Sequence, residues 1–313
     1  MRATRFIAVL AAVALFMSGC GNGNGEDEAS PTPAETPTET PTDTPDEQGA
    51  APATLAVTAT DDAAGGGYAF ELPESVEAGA TQIELTNTGA EPHHAQLFQL
   101  NPDATMDDLG ATLAAGDPSA LMDVGAFAGG TGVVSPGGTS SAEAVADLTE
   151  GTYAFLCFVE NAEGVPHLAQ GMVQPLEVTA AEDPAPMPDA DADVTLVDYS
   201  FELPELGGDE VLSISNGSEA EPHELNILRL EPGATMDDVL AIAEAEGEEP
   251  PGGPPPFAGV GGLNGLVPGG SSALALDLEP GDYVFACFIP SFDPRNEGQS
   301  HAELGMIEQV TIE

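Results

Sequence analysis

Four side chains of three kinds recur in the same order in each half of the 313-residue chain. His93 and Cys157 stand 64 positions apart, and so do His223 and Cys287. Nine residues separate Cys157 from His167, and Met172 follows five positions later; thirteen separate Cys287 from His301, with Met306 again five on. Each half therefore offers two imidazoles, one thiolate and one thioether. Two His, one Cys and a weak axial Met form the donor set expected at a mononuclear blue-copper centre, where thiolate suits Cu(I) and imidazole serves both redox states. With four protein donors no coordination position remains for a substrate, so such a centre moves one electron and makes no bonds. One or two type 1 copper ions per chain are expected.

Other readings of these residues are weaker. Cys157 and Cys287 occupy equivalent positions in two repeats, which opposes a disulfide between them. His94 matches Glu224 in the other half and lies outside the 64-residue spacing, so it is not expected to be a ligand. Met106 and Met236 fall in predicted helices and read as core. The pairs Asp107-Asp108 and Asp237-Asp238 read as helix-start residues, since adjacent helical positions do not face one another and acids in a first turn favour the dipole. An oxidase or reductase would need a second metal centre, and four of the five histidines are already assigned. The chain is therefore not expected to be an enzyme.

The elements that must bring these donors together come from a duplicated module. YAFELPESVEAGATQIELTNTGAEPHHAQLFQLNPDATMDDL at 68–109 matches YSFELPELGGDEVLSISNGSEAEPHELNILRLEPGATMDDV at 199–239, and GTYAFLCF matches GDYVFACF. The Pro92-His93, Cys157 and Thr105-Met106-Asp107-Asp108 positions share an offset of 130 with their counterparts. Short alternating apolar runs punctuated by Gly, Pro and Asn predict an all-β fold, two tandem Greek-key sandwiches. Thr105 and Thr235 with Asp108 and Asp238 predict one short capped helical insertion in each. The Gly/Pro-rich stretches 125–132 and 252–262 read as surface loops. Residues 54–180 and 193–313 are the two domains, joined by a Pro/Ala/Asp-rich linker at 181–192. By strand alternation, Phe155 and Phe285 share the face of the cysteines and are expected to dry the site.

The segments GTYAFLC and GDYVFAC resemble the cysteine-bearing strand of cupredoxins, plastocyanin in particular, and NTGAEPHH resembles the segment presenting the first His. The trailing H-x4-M before a closing strand is also similar. The resemblance covers nearly all of 54–180 and 193–313 apart from the helical insertions. It implies cupredoxin-like sandwiches and copper ligands His93, Cys157, His167 and Met172 at a first site, and His223, Cys287, His301 and Met306 at a second. The Cys-to-His loops are longer than in plastocyanin, most of all in the second half, so the second site is expected to be looser. His94 and Glu224 stand where plastocyanin has an Asn that steadies the ligand loop. Surface-tethered one-electron transfer is the function implied. Alternatives are copper binding and delivery without electron transfer, or a metal-free sandwich for adhesion or assembly.

Residues 1–20 read as a lipoprotein signal peptide: Arg2 and Arg5, a twelve-residue apolar run from Phe6 to Met17, then a lipobox ending at Cys20, the expected lipidation site. Residues 21–53 form a Pro/Thr/Glu-rich tether, and about thirty such residues reach up to roughly 90 Å. The chain is thus expected to be exported and held at the outer face of the cytoplasmic membrane or cell envelope through its lipid alone. The whole sequence has 54 acidic residues against four basic ones, a formal charge of −50, and no lysine. Nucleic-acid binding is excluded, since it needs clustered Lys and Arg. Acids spread over both domains fit steering of a redox partner protein or, better, a halophilic adaptation. Electron relay between the domains would require the two sites to be close.

Overall fold

The computed structural model describes residues 51–61, 67–115, 118–243, 255–296 and 299–313. The predicted leader, Cys20 and almost all of the tether lie outside the described residues. The first sandwich contains β1 (Ala53–Thr60), β2 (Ala69–Glu71), β3 (Ser75–Glu77), β4 (Gly79–Asn87), β5 (His93–Leu100), β6 (Gly125–Val134), β7 (Ala142–Leu148), β8 (Gly151–Leu156) and β9 (Val173–Thr179). The second contains β10 (Ala192–Val197), β11 (Ser200–Glu202), β12 (Val211–Asn216), β13 (His223–Leu230), β14 (Phe257–Leu266), β15 (Ser271–Leu276), β16 (Gly281–Ala286) and β17 (Ile307–Ile312). Helices α1 (Met106–Ala115) and α2 (Pro118–Val124) join β5 to β6, and α3 (Met236–Ala243) precedes β14. The expected all-β fold, with a helical insertion in each half, is the one observed.

One layer of the first sandwich runs β2-β1-β4-β7 and the other β3-β9-β8-β5-β6. The second repeats this as β11-β10-β12-β15 and β17-β16-β13-β14. Alternation along β8 sends Phe155 into the core with Leu97, Tyr153 and Met172, while Ala154 and Leu156 pack outward beneath the helices. These ligand-bearing strands are buried on both faces, which removes the side-chain freedom that would blur a metal site. The helix begins as expected: the Thr105 N–H donates to Asp108 Oδ2 at 2.9 Å and the Asp108 N–H to Thr105 Oγ1 at 3.2 Å.

The expected loops at 125–132 and 252–262 are strand at 125–132 and from Phe257 on. Residues 125–132 belong to β6 and 257–262 to β14, and these two strands pair antiparallel with each other. β7 pairs with β15 in the other layer, so both layers run continuously through the two sandwiches. Glycine here permits contact rather than looseness. Gly130 and Gly262 have φ of +101° and +114°, and a Cβ on them would lie 2.1 and 2.2 Å from the Ala95 and Leu225 carbonyl oxygens. Both sit at irregularities in pairing with β5 and β13, where a bulge lets the backbones close up. Buried amides then fix the register across the seam. Gln96 Nε2 donates to the Gly129 and Gly265 carbonyls at 2.8 and 3.1 Å, and Gln96 Oε1 accepts from the Gly265 N–H at 2.9 Å. Asn226 Oδ1, at the equivalent place, accepts from the Val133 N–H at 2.8 Å.

Candidate metal centres

His93 opens β5, Cys157 follows β8 directly, and His167 begins a short 3-10 turn that returns the chain to β9. The turn is hung on the cysteine: the Leu168 N–H donates to the Cys157 carbonyl at 2.8 Å and the His167 N–H to the Val159 carbonyl at 2.8 Å. Met172 is bonded to both ligand residues through its backbone, accepting from the Cys157 N–H at 3.3 Å and donating to the His167 carbonyl at 3.0 Å. The second half repeats each bond. Ala302 donates to Cys287 at 2.7 Å, His301 to Ile289 at 3.0 Å, Cys287 to Met306 at 3.1 Å and Met306 to His301 at 2.8 Å. All eight residues are fully buried.

The side chains converge. His93 and His167 bring their Nδ1 atoms to 3.0 Å of each other, and Cys157 Sγ lies 3.8 Å and 3.5 Å from them. In the second half the two Nδ1 atoms are also 3.0 Å apart, and Cys287 Sγ is 3.3 Å from that of His301. Despite the longer loop, the two Nδ1 atoms stand no farther apart than in the first site, and Cys287 lies closer to His301 than Cys157 does to His167. The loop is pinned by the Glu221 carboxylate, which accepts from Ser291 Oγ at 3.0 Å and the Phe292 N–H at 3.1 Å, and by Asn296, which donates to the Tyr199 hydroxyl at 2.9 Å. Both cysteines are free thiols in separate cores, as their repeat positions require.

Carboxylates orient the imidazoles. His167 Nε2 lies 2.9 Å from Glu91, and His301 Nε2 lies 2.6 Å from Glu221. Asp61 lies 3.5 Å from His93 Nε2, and Asp198 lies 3.4 Å from that of His223. At His167, His223 and His301 the ionised carboxylate only accepts, so it draws the ring hydrogen to Nε2 and leaves the Nδ1 lone pair facing inward, whereas His93 Nε2 makes no hydrogen bond. The Tyr68 ring stacks on His167 at 4.2 Å and its hydroxyl donates to Glu91 at 3.1 Å. Tyr199 instead meets His301 edge-on, with ring centroids 5.4 Å apart, and its hydroxyl donates to Glu221 at 3.3 Å.

Burial keeps these groups neutral without a metal. It lowers His93 to about 4, with repulsion from His167 adding to the effect, and raises the Cys157 thiol to about 12. Burial also lowers His167, His223 and His301 and raises Cys287 further. Two inward lone pairs and a thiol at one point fit a thiophilic cation that displaces the thiol proton. The donor set matches copper better than calcium or magnesium, which favour oxygen.

The carboxylates and tyrosines escaped the sequence reading, although Glu-Pro-His at 91–93 and 221–223 and the two tyrosines recur in both halves. His94, set aside as a ligand, lies outside the cluster. It accepts the Phe158 N–H on Nε2 at 2.7 Å, and Glu224 accepts the Phe288 N–H at 2.8 Å. Both thus hold the residue after the cysteine.

No family model and no curated protein matches the chain. Among solved structures it is similar to dithionite-reduced auracyanin from Roseiflexus castenholzii, 19% identical over 39% of this chain and 95% of that one, with a TM-score of 0.27. A multicopper oxidase is 19% identical over 83% of this chain and 88% of that one, with a TM-score of 0.25. A copper-containing nitrite reductase from Thermus scotoductus is 12% identical over 83% and 61%, with a TM-score of 0.21. Likenesses this weak bear no weight beside the chain's own strand order and donor geometry.

Proposed function

We propose that the chain is a surface-tethered electron carrier with a type 1 copper site in each sandwich. The observation that carries this reading is the convergence, in both halves, of one buried thiol and two Nδ1 lone pairs, each imidazole backed by a carboxylate. Bound there, copper supplies a one-electron couple. The residues do the rest. His93, Cys157 and His167, and likewise His223, Cys287 and His301, would hold the ion, and Met172 and Met306 would supply a thioether to each site. Phe155 and Phe285 exclude water beside the cysteines. A buried, hydrogen-bonded donor frame changes little between redox states, so little rearrangement opposes transfer.

Absence of enzymatic activity is part of the proposal, since four of the five histidines are in the clusters and His94 is engaged by Phe158. Export and lipidation at Cys20 rest on the sequence alone. A halophilic setting is proposed from the charge of −50 and the lack of lysine. The redox partner would present a basic face.

The test is reconstitution with Cu(II). An intense thiolate-to-copper visible band is expected, halved by Cys157→Ser or Cys287→Ser and abolished by both, with reversible potentiometric cycling. Absence of the band from reduced, copper-loaded protein refutes the reading. A band with release of metal on each reduction would favour delivery instead.

A further inference from the structure

We propose that Asn87 and Asn216 are positioning residues, each mounting the Glu-Pro-His segment of its own cluster from the end of a neighbouring strand. This deepens the copper reading and rests on it only in calling the histidines ligands. Asn87 closes β4 and Asn216 closes β12, and both are buried. Asn87 Nδ2 donates to the Glu91 carbonyl at 2.8 Å and to the Val134 carbonyl at 2.9 Å, while Oδ1 accepts from the Gly89 N–H at 2.8 Å. Asn216 repeats all three bonds. It donates to the Glu221 and Leu266 carbonyls at 2.9 Å each and accepts from the Ser218 N–H at 2.9 Å. Two carbonyls on one side and an N–H on the other settle the orientation of each amide, and both amide hydrogens are used.

The two carbonyls bracket the first histidine. Glu91 and Glu221 stand two residues before His93 and His223. Val134 and Leu266 lie opposite those histidines in the pairing of β5 with β6 and of β13 with β14. The anchored glutamate also reaches the other imidazole: the Glu91 carboxylate lies 2.9 Å from His167 Nε2, and that of Glu221 lies 2.6 Å from His301 Nε2. One buried amide therefore sets both rings of a cluster, one through the chain and one through the carboxylate.

A difference between the halves shows that the bond is not incidental. Six positions separate Asn87 from His93, but seven separate Asn216 from His223. A contact that merely followed chain position would have moved with the extra residue. Instead the addition is absorbed between Asn216 and Glu221, and the amide still holds the carbonyl of the glutamate. Each asparagine backbone is fixed from outside this loop, bonded in both directions to Gly137 and Gly138 or to Gly269 and Gly270. The mount stays constant where the loop it holds varies.

The experiment measures hydrogen exchange in the full-length, metal-free chain at the imidazole N–H that faces each glutamate. In Asn87→Leu the His167 ring N–H should exchange roughly tenfold faster while that of His301 keeps its protection, and Asn216→Leu should do the reverse. Either variant suffices if the other does not fold, since the untouched half is its control. Asn87→Asp and Asn216→Asp keep the volume and the Oδ1 acceptor but cannot donate, so they should behave as the leucine variants do and replace them if neither folds. In copper-loaded protein, Asn87→Leu should shift the visible band in a Cys287→Ser background and leave it unchanged in a Cys157→Ser background, which a general loss of stability would not do. Equal loss of protection at both rings, or loss at neither, overturns the proposal. If wild type shows no copper band, the copper reading fails while the ring exchange still decides the role of the asparagines.

Discussion

The carboxylate behind His301 provides a sharp test of how the protein prepares its sites. Glu221 has an 8% exposed side chain and lies 2.6 Å from His301 Nε2. Its other oxygen accepts from Ser291 and Tyr199, and the Phe292 N–H joins His301 on Oε2. In Glu221→Gln the amide oxygen can keep facing the imidazole and Phe292, because the two hydroxyls opposite can turn to accept from the new NH2 group. The tautomer survives and only the charge is lost. Glu221→Leu removes the acceptor itself, so the ring hydrogen is free to move to Nδ1, where the metal must bind. Carboxylates behind metal-bound histidines are worth about 10- to 100-fold in affinity. Glu221→Gln should thus lie near about tenfold, about 1.4 kcal/mol, and Glu221→Leu near about 100-fold. Glu91, 35% exposed and 2.9 Å from His167, faces water that can replace it, so the same changes there should cost less. Chelator competition read on the visible band, with the other site silenced by Cys→Ser, measures this. Copper affinity unchanged within about threefold in Glu221→Leu would refute the carboxylate lock.

Gln96→Leu leaves the Gly265 N–H and the Gly129 carbonyl unpaired in the seam, at about 1–3 kcal/mol for each buried orphan. Urea denaturation should show a loss of roughly 2–4 kcal/mol, and a loss under about 1 kcal/mol would mean that the amide does not fix the register. With a charge of −50, the fold should melt higher as the screening length falls from about 10 Å at 0.1 M salt to about 3 Å at 1 M; a melting temperature indifferent to salt refutes the self-repulsion argument. Burial raises the Glu143 carboxyl above its ordinary value of 4.5, with Glu84 and Asp277 adding repulsion and Gln82 and Ser140 opposing. Its protonated form therefore favours the fold, a contribution fully present below 4.5 and lost as pH rises through the raised value. Glu143→Gln should gain stability relative to wild type over that rise, and a stability difference independent of pH would contradict this.

The clustering of the His and Cys positions was legible because they are chemically unusual and occur twice. A lone Cys or His says little, but the same order at the same spacing in both halves leaves few alternatives. The strands around them were legible from alternation, and the helix starts from Thr105 and Thr235. What failed was the reading of glycine. Composition marked 125–132 and 252–262 as loops, yet Gly130 and Gly262 are there because two backbones approach too closely for any Cβ. That constraint lives in the partner strand, and a single sequence read along its length does not contain it. The second site was expected to loosen with its longer loop, because length alone was visible. The clamp that prevents this is assembled from Glu221, Ser291, Tyr199 and Asn296, which lie up to 97 positions apart.

The seam also decides what two centres on one chain can do. β5 and β13 each carry a first histidine at their N-terminal end, and they are separated by β6 and β14. Three successive antiparallel pairings make β5 and β13 run in opposite directions, so the two histidines lie toward opposite ends of the shared layer. The register gives the scale: His93 is level with Val134 and Val260, while His223 is level with Leu266 and Ala128. Six residues along a strand and three strand spacings across come to roughly 24 Å, at about 3.3 Å per residue and about 4.8 Å per spacing. No ligand of one site can then touch a ligand of the other, and the relay between adjacent centres that duplication would allow is not what this packing builds. Duplication instead produces two sandwiches with continuous layers and a His-Cys-His cluster toward each end.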